Sequence, residues 1–514
     1  SFVLRGFSLV DDEIGDATNA AGAFRAAIYG FYIQDEWQVN DRLRVTGGIR
    51  VDIPQLLDDP RYANAGDAQV AEFFGGADNV PAEINPYNTT LPQIRQFHRL
   101  NGALPGEVPD PSPHWAPRFG FNWDAFGDQT TQVRGGVGVF TSRQPFVWPG
   151  GMYLNNGVRA GEVSNFGANE FRPDPADGLT VADVSETRTN ADLIPSGRLE
   201  MFEEDYKLPR FLRYSLGLDQ QLPGGWIGTL EGQYTNTLKN INVTNINLKP
   251  ANSTLDGPDN RPIWIPENFD NESQLIDDRY TNIHRVGNTD QGYSYNISAR
   301  VQNAFENVLV DNNRLKIDAS YSYGDSWVIN DGTSSQINSL WDGVEHVNGA
   351  NNLELSRSDF STGHRVLGRL TYSQEFLSNF AASVSLVYDG QSGRPFSYVI
   401  DDSDEMILEN GDPNSLLYVP RTATALTFEP AVVNGITISP EQQAAALDQF
   451  IAESDYLSAR RGQYAERNAD RTPWEGVLDL NVKLGIFGDV VGRQQRIEIT
   501  ADIFNFSSML GDIF

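Results

Sequence analysis

The feature that most constrains this chain is a two-residue alternation of apolar and polar side chains. In segment 478–486 one face consists of Leu478, Leu480, Val482, Leu484 and Ile486, and the other of Asp479, Asn481, Lys483 and Gly485. Because successive side chains of a strand point to opposite faces, this pattern predicts a strand with one apolar face. The same pattern recurs in segments 43–52, 293–301, 315–323 and 496–503. We therefore predict an all-β fold.

The links between these segments alternate in length. Short links rich in turn-forming residues join the strands in pairs, at 38–42, 125–129, 222–225 and 376–379, with somewhat longer ones near 302–314 and 487–495. Long connections join one pair to the next, at 53–114, 141–209, 235–291, 324–363 and 391–473. Such long connections are rare in compact soluble domains. Short turns alternating with long loops are typical of a transmembrane antiparallel β-barrel with periplasmic turns and extracellular loops.

A soluble β-sandwich is the alternative, since alternation alone does not say which face is covered. Aromatic residues near the strand ends favour the barrel, because membrane barrels carry aromatic girdles at both interfaces. They are Tyr32, Trp37, Trp123, Phe140, Trp226, Tyr234, Tyr323, Tyr372 and Tyr388. On this interpretation Leu478, Leu480, Val482, Leu484 and Ile486 contact lipid.

The length, composition and charge of the chain argue against several other classes of protein. A chain of 514 residues exceeds the roughly 250–300 residues of a single soluble core. No apolar stretch approaches the roughly 18–20 residues of a membrane helix. The absence of Cys excludes a disulfide scaffold and a zinc-thiolate site. A net charge of −31 without a Lys/Arg cluster argues against nucleic acid as a partner.

Several segments, in order along the chain, resemble motifs of the TonB-dependent outer-membrane receptors, in particular of their Oar-like branch. They are IYGFYIQDEW at 28–37 with LRVTGGIRVD at 43–52, WAPRFGF at 115–121 with RGGVGVF at 134–140, LPRFLRYSLGL at 208–218, SGRPF at 392–396, and RNADRTP at 467–473 followed by Phe504–Asn505.

The resemblance implies a location in the bacterial cell outer membrane and energy-coupled uptake of a large or scarce substrate: a siderophore, glycan or peptide. It implies as partners the outer-membrane lipid and lipopolysaccharide, the TonB-ExbB-ExbD complex and an unknown extracellular ligand, with no cofactor. The alternative is a surface anchor, or an adhesion or secretion component, without transport. A passive porin without a plug is a third possibility.

The same resemblance predicts that residues 1–514 are one barrel segment. About 13 strands are expected, twelve in pairs and one at Phe2–Val10, whereas plugged transporters have about 22. The family's plug and its N-terminal domain are not present in this sequence, so we expect an interior segment of a longer receptor. Segments 2–10 and 495–506 should then form open edges. Pairing between these two edges would instead indicate a smaller, porin-like barrel.

No enzyme motif is present: neither His-Glu-x-x-His, Gly-x-Ser-x-Gly nor a P-loop occurs. We therefore predict no enzymatic activity, no catalytic residue and no metal centre, and no ligand-binding residue is singled out. The histidines at 98, 114, 284, 346 and 364 are expected at the surface or in the lumen. The acidic run Asp401–Glu405 offers hard oxygen ligands for Ca²⁺, but a solvated loop is the favoured interpretation.

Three further features have possible roles. Polar-face arginines at 44, 50, 134, 213, 300, 365, 369 and 496 are predicted to line the lumen, where hydrogen bonding to a plug is favoured over ligand contact. Four loop tryptophans, Trp148, Trp264, Trp327 and Trp341, are expected either to bind a ligand or to cap the barrel. A helix is predicted from Ser439 to about Leu457, with Leu447, Phe450 and Ile451 on its apolar face. It forms either an extracellular lid or a packing element within its loop.

Overall fold

The main element of the computed structural model is one large antiparallel sheet. The structure describes residues 3–7, 22–58, 90–155, 161–165, 198–264, 274–277, 280–308, 310–377, 380–400, 414–490 and 493–511. Twelve long strands follow one another in the sheet in chain order, each antiparallel to the next. They are β1 Ala26–Asn40, β2 Leu43–Leu56, β3 His114–Asp124, β4 Thr131–Thr141, β5 Arg210–Gln221, β6 Ile227–Asn245, β7 Gly292–Glu306, β8 Asn313–Val328, β9 Gly363–Leu377, β10 Phe380–Gln391, β11 Glu475–Val490 and β12 Arg493–Ile503.

The remaining elements are short and lie mostly in the long connections. The helices are α1 Thr90–Ile94, α2 Val147–Leu154, α3 Ile337–Asp342, α4 Pro440–Glu453, α5 Asp455–Ala459 and α6 Phe506–Gly511. Three short strands extend the main sheet at its long-connection end: Arg198–Phe202, Asn282–Thr289 and Ser356–Arg357. Small two-stranded pairs join Ser253–Thr254 to Pro262–Ile263, Pro395–Phe396 to Asp470–Arg471, Tyr418–Val419 to Gln463–Tyr464, and Ala431–Val433 to Ile436–Ile438.

Among the described residues, no helix combines the length and the hydropathy needed to cross a bilayer.

The predicted alternation of link lengths is confirmed. Short links at 41–42, 125–130, 222–226, 307–312, 378–379 and 491–492 join β1 to β2, β3 to β4 and so on to β12. The connections 57–113, 142–209, 246–291, 329–362 and 392–474 join the pairs. Because neighbouring strands are antiparallel throughout, every short link lies on one rim of the sheet and every long connection on the other.

The cross-strand register confirms one continuous apolar face. Val482 lies opposite Val384 on one side and Ala501 on the other. Far away in the sheet, Ile297 lies opposite Gly232 and Tyr323. Many of these side chains are uncovered: Phe31 is 63% exposed, Leu216 59% and Ile499 60%. An apolar band of this extent is stable only against lipid, so the opposite, polar face lines the interior.

The aromatic girdle is confirmed for most of the predicted residues. Trp37, Trp123 and Tyr372 lie on the apolar face near the short-link rim, and Tyr234, Tyr323 and Tyr388 lie on it near the other rim. Trp226 precedes β6 in the short link, with its ring 5.8 Å from the ring of Phe305.

Two aromatic assignments are wrong. The register places Tyr32 opposite Arg50, on the polar face. Phe140 also lies on the polar face, where the guanidinium carbons of Arg118 and Arg213 stand 4.5 and 5.5 Å from its ring centroid. Cation–π contact makes an aromatic ring compatible with this face, so ring type alone does not identify the lipid side.

The predicted strand Phe2–Val10 is not part of the main sheet. Val3–Phe7 instead pairs with Gly161–Asn165 in a separate two-stranded sheet, and Phe2 and residues 8–10 lie outside the described residues. A transmembrane strand needs about 9–11 residues, which this segment does not reach. The main sheet therefore has twelve strands on its path rather than thirteen, and its edges are β1 and β12. Within the described residues these two edges do not pair with each other, as expected for the predicted edge near 495–506.

A charged substitution distinguishes the two faces. Replacing Val482 with Arg should lower the free energy of unfolding from bilayers by about 2–4 kcal/mol, because the guanidinium would be buried in hydrocarbon near the midplane. Asn481→Arg is the matched control, since it puts the same side chain one residue away on the polar face, where Asn481 now bonds Asp502. Urea unfolding in lipid vesicles measures both. Equal losses for the two variants would contradict the face assignment.

Candidate functional site

The long connections, together with the upper end of β6, fold into a layer that we call the loop cap. Its largest buried cluster joins residues from the connections 142–209, 246–291 and 329–362. The members are Trp148, Met152, Tyr153, Phe202, Tyr206, Ile241, Val243, Leu248, Trp264, Val286, Ile337, Leu340, Trp341 and Ala350. A second cluster contains Leu91, Ile94, Leu100, Ala103, Leu199, Met201, Ile246, Tyr280 and Ile283. The loops are therefore a packed structure with cores of its own.

Three of the four loop tryptophans belong to the first cluster. Each indole N–H has an internal acceptor: the carbonyl of Ser334 for Trp148 (3.0 Å), that of Lys249 for Trp264 (2.8 Å), and Oδ1 of Asn351 for Trp341 (2.8 Å). Of the two roles predicted for them, the structure therefore supports capping over ligand contact.

Trp327 differs from the other three, because it is the penultimate residue of β8 and only partly buried. Its ring stacks on Tyr293 at 6.2 Å, and the guanidinium of Arg357 lies 5.6 Å from its centroid.

A buried amide network supports the first cluster, and sequence reasoning missed it. Oδ1 of Asn351 accepts hydrogen bonds from the Asn245 backbone N–H (2.7 Å) and from the Trp341 indole. Its Nδ2 donates to the Asn245 carbonyl at 2.8 Å. The available signal was the repeated asparagines at 245, 247, 351 and 352, but asparagine is also common in exposed turns.

The predicted helix after Ser439 is present but ends earlier than expected. Helix α4 carries the predicted capping box, in which Ser439 and Gln442 each accept the other's backbone N–H. It ends at Glu453, and Ser454 then caps the separate helix α5. Ile451 is fully buried and Leu447 packs beside it in a third cluster with Val419 and Leu457, whereas Phe450 is 48% exposed. A second N-cap serine inside the predicted span is the physical reason for the break.

A cavity of about 550 Å³ lies between the connections 329–362 and 392–474. His346, Leu416, Ala465 and Arg467 are the buried residues of its lining. Tyr456 and Tyr464 are half-buried, and Trp327 also contributes. The cavity lining is balanced in charge, because Arg357, Arg460 and Arg467 are matched by Glu345, Glu354 and Glu466.

Two arginines fix this cavity to the top of the sheet. Arg467 donates from Nη1 and Nη2 to the carbonyls of Ile329 and Val328, both at 2.8 Å. Arg357 pairs with Asp325 at 3.2 Å and donates to the carbonyl of Asn468 at 3.0 Å. The cavity is thus positioned by the end of β8 rather than by the loops alone.

The predicted lumen arginines all lie on the polar face, and most are ion-paired there. Arg134 bridges Asp219 (3.1 Å) and Glu231 (3.0 Å) across three strands. Pairs also join Arg44 to Glu36, Arg50 to Asp52, Arg300 to Asp318, Arg365 to Asp389 and Arg496 to Glu498. Arg213 lies over Phe140, and Arg369 lies opposite Asp318 in the register. Hydrogen bonding of these arginines to a plug stays a prediction.

Residues 10–508 match the protein family described as "Outer membrane beta barrel domain". The chain belongs to this family. None of the curated proteins compared matches the sequence.

Solved structures with a similar fold include an outer-membrane transporter from Escherichia coli, YddB (11% identity, TM-score 0.41, covering 93% of this chain and 41% of that one). Others are the ferric enterobactin receptor PfeA from Pseudomonas aeruginosa (7%, 0.36, 93% and 45%) and the siderophore receptor PirA from Acinetobacter baumannii (10%, 0.36, 92% and 41%). The chain spans less than half the length of each. Neither the Oar-like branch nor coupling to TonB follows from these likenesses.

Three histidines of this outer-membrane barrel lie where the sequence did not predict them. His284 and His346 are buried in the loop cap rather than at the surface or in the lumen. The ring of His284 lies 5.7 Å from that of Trp341. His114 is buried as well, and its Nε2 accepts the Leu208 backbone N–H at 3.1 Å. The acidic run Asp401–Glu405 lies outside the described residues, and within the described part no group of three His, Asp or Glu side chains is arranged for a metal.

Burial lowers the pKa of two histidines in the cap and raises the pKa of one glutamate, and these shifts have opposite effects on the stability of the cap. Desolvation, with the charge of Arg198 adding to it, lowers the pKa of His284 to about 3, and desolvation lowers that of His346 to about 4. Desolvation raises the pKa of Glu200, which lies opposite His284 in the strand register, to about 7. Below pH 6.5 the unfolded histidines take up protons and the folded ones do not, so they destabilise the cap as the pH falls. Glu200 has the opposite effect: as the pH falls from 7 to about 4.5, the folded state binds a proton that the unfolded state does not, so Glu200 stabilises the cap.

The histidine effect should dominate in acid. We expect His284→Gln to reduce the loss of cap stability between pH 6 and pH 4, by up to a few kcal/mol, because glutamine has no proton to gain on unfolding. Hydrogen exchange at the Ile283 and Val286 amides, corrected for intrinsic rates, measures this. His364→Gln is the control, since His364 contacts Tyr321 outside the cap at 2.7 Å. Identical pH profiles for wild type and His284→Gln would contradict the assignment.

The first cluster should determine the stability of the loop cap without affecting the folding of the barrel. Trp341 is 2% exposed, and Trp341→Ala should cost about 3–5 kcal/mol of cap stability through the cavity it leaves. Limited proteolysis should then cut the long connections faster. The barrel itself should stay folded and keep the heat-modifiable electrophoretic mobility of the wild type. Trp474→Ala is the control, because Trp474 is 48% exposed at the rim. Unchanged proteolysis of the Trp341 variant would show that the cap does not depend on this cluster.

Proposed function

We propose that this barrel takes up a large or scarce substrate across the outer membrane, by movement of a plug coupled to the TonB-ExbB-ExbD complex. The observation that carries the proposal is the loop cap: a packed layer on the long-connection rim, with a fixed cavity above a polar interior. By the general rule for outer-membrane barrels, this rim is extracellular. A substrate too large for diffusion needs such a preorganised surface before it enters the lumen.

The cavity is the proposed entry point for the substrate. Tyr456 and Tyr464 offer aromatic surface, and exposed Glu354, Gln463 and Glu466 offer hydrogen-bonding groups at its edge. Because arginines and glutamates balance, the cavity suits a neutral or zwitterionic polar ligand, a glycan or a peptide, better than a polyanion. Arg467 and Arg357 tie this entry point to β8, so ligand contacts there act directly on the barrel rim.

The family resemblance supports the energy coupling. The quoted motifs of the TonB-dependent receptors run from residue 28 to Phe504–Asn505, over the same strands that form the sheet. The lumen ion pairs are compatible with it: they hold charged groups on a wall that a plug and a substrate would share.

A surface anchor or adhesion component, the alternative function, is favoured by one observation. The lumen arginines pair with carboxylates of their own face, so the interior wall is electrostatically satisfied without a passing ligand.

A measurement of uptake distinguishes transport from the anchor function. The full native protein, in its own host, is tested for TonB contact by in-cell photo-crosslinking and for accumulation of three probes: ⁵⁵Fe loaded on the host's siderophores, fluorescent maltoheptaose and a labelled peptide. We expect crosslinking to TonB, with protonophore-sensitive accumulation of one probe. Tyr456→Ala should lower its uptake severalfold while Trp474→Ala leaves it unchanged. Absence of both crosslinking and energy-dependent uptake would favour the anchor.

A further inference from the structure

A depression in the lipid-facing surface marks an unusual part of the barrel, and we call it the outer trough. Phe119 and Phe121 lie on one side of it, Tyr295 and Ile297 on the other, and Leu216 and Gly232 lie between. Its volume is about 600 Å³. The missing side chain at Gly232 creates it, since a Cβ built there meets no atom within 4 Å.

Two cations lie directly beyond the extracellular end of this trough. Arg210 of β5 and Lys239 of β6 are register partners. Arg210 belongs to the same alternating set as Leu216 and Tyr214, on the apolar face, and four residues separate it from Tyr214, about 13 Å along the strand. This is the level of the lipid headgroups, just above the aromatic girdle.

A β-bulge brings the two cations together. The register shifts between Arg210 and Phe211, so that Phe211 opposes Thr237 whereas Arg210 opposes Lys239. A regular ladder would place the apolar Leu238 opposite Arg210. Bulges re-aim side chains at functional positions, and this one puts one of only five lysines in a chain of net charge −31 beside an arginine.

Two buried polar atoms, one of Arg210 and one of its register partner Thr141, have no hydrogen-bond partner in the structure. Nη2 of Arg210 donates to the Trp115 carbonyl at 2.6 Å, but its Nε has no acceptor. Oγ1 of Thr141, the register partner of Arg210 on β4, also has none. In the part of the chain that the structure describes, no carboxylate pairs with Arg210 or Lys239.

We propose that Arg210, Lys239 and Thr141 bind the phosphate of an outer-leaflet lipid whose acyl chain lies in the outer trough. The guanidinium, ammonium and hydroxyl groups all donate, which matches a phosphate that only accepts. The charge is complementary, and the trough continues into the lipid-facing surface, so one amphiphile satisfies both parts. A second copy packed on this face would bring like cations together.

The experiment compares lipids by affinity for the purified full-length protein in dodecyl maltoside, using native mass spectrometry and the thermal unfolding midpoint. The probes are lipid A with two phosphates, phosphatidylethanolamine and inorganic phosphate. Wild type should retain one lipid A per chain and be stabilised by it, with little effect of the other two probes. Equal stabilisation by inorganic phosphate would overturn the lipid assignment.

Matched variants test the two parts of the site. R210A/K239A should weaken lipid A binding at least tenfold, and the charge-conserving R210K/K239R should restore most of it. R213A/K483A is the control, because it removes an arginine from the same strand and a lysine from the polar face. G232L should weaken binding by filling the trough without changing charge. Equal binding by R210A/K239A and R213A/K483A would overturn the headgroup site, and undiminished binding by G232L would overturn the acyl site.

Discussion

The structure depends on one constraint: a backbone N–H or C=O group in hydrocarbon must be hydrogen-bonded within the protein, because no water is there to replace the bond. The chain meets this constraint with a ladder that runs unbroken from β1 to β12, in which every inner strand has two antiparallel neighbours. The short links follow from it, since an antiparallel neighbour is reached most directly by a tight turn. Period-two patterning then places one set of side chains against lipid and the other against the interior.

Outside the membrane the chain is stabilised differently from the strands within it. The long connections are in water, where only burial of apolar surface orders them, and the loop cap achieves this with tryptophans whose indole groups bond to backbone carbonyls or to Asn351. Asn351 and Asn245 satisfy each other in the same layer. The cavity lined by Arg467 and His346 therefore has rigid surroundings, although it is made of loops.

The sheet was predictable from the sequence because its information is local. Segment 478–486 shows its face directly, and the link lengths determine the rims. Tyr32 and Phe140 were misassigned because a ring is compatible with lipid and with a cation such as Arg118. The cap cavity was not predictable, since it joins Trp327 to Tyr456 and Arg467 through pairings such as Tyr418–Val419 with Gln463–Tyr464, which carry no periodic signal. His284 illustrates the same limit: its burial depends on Trp341, 57 positions away, and no local pattern records that contact.

The composition of the loop cap also has a consequence for how the protein is assembled. The bond between the Trp148 indole and the Ser334 carbonyl spans 186 residues, and that between Arg467 and Ile329 spans 138. Contacts of such high sequence separation form late, because the intervening loops must be closed first. The intervening residues include β5 to β8 in the first case and β9 and β10 in the second. Completion of the cap therefore reports that these strands have been inserted, and a stalled barrel would present its long connections unpacked to proteases.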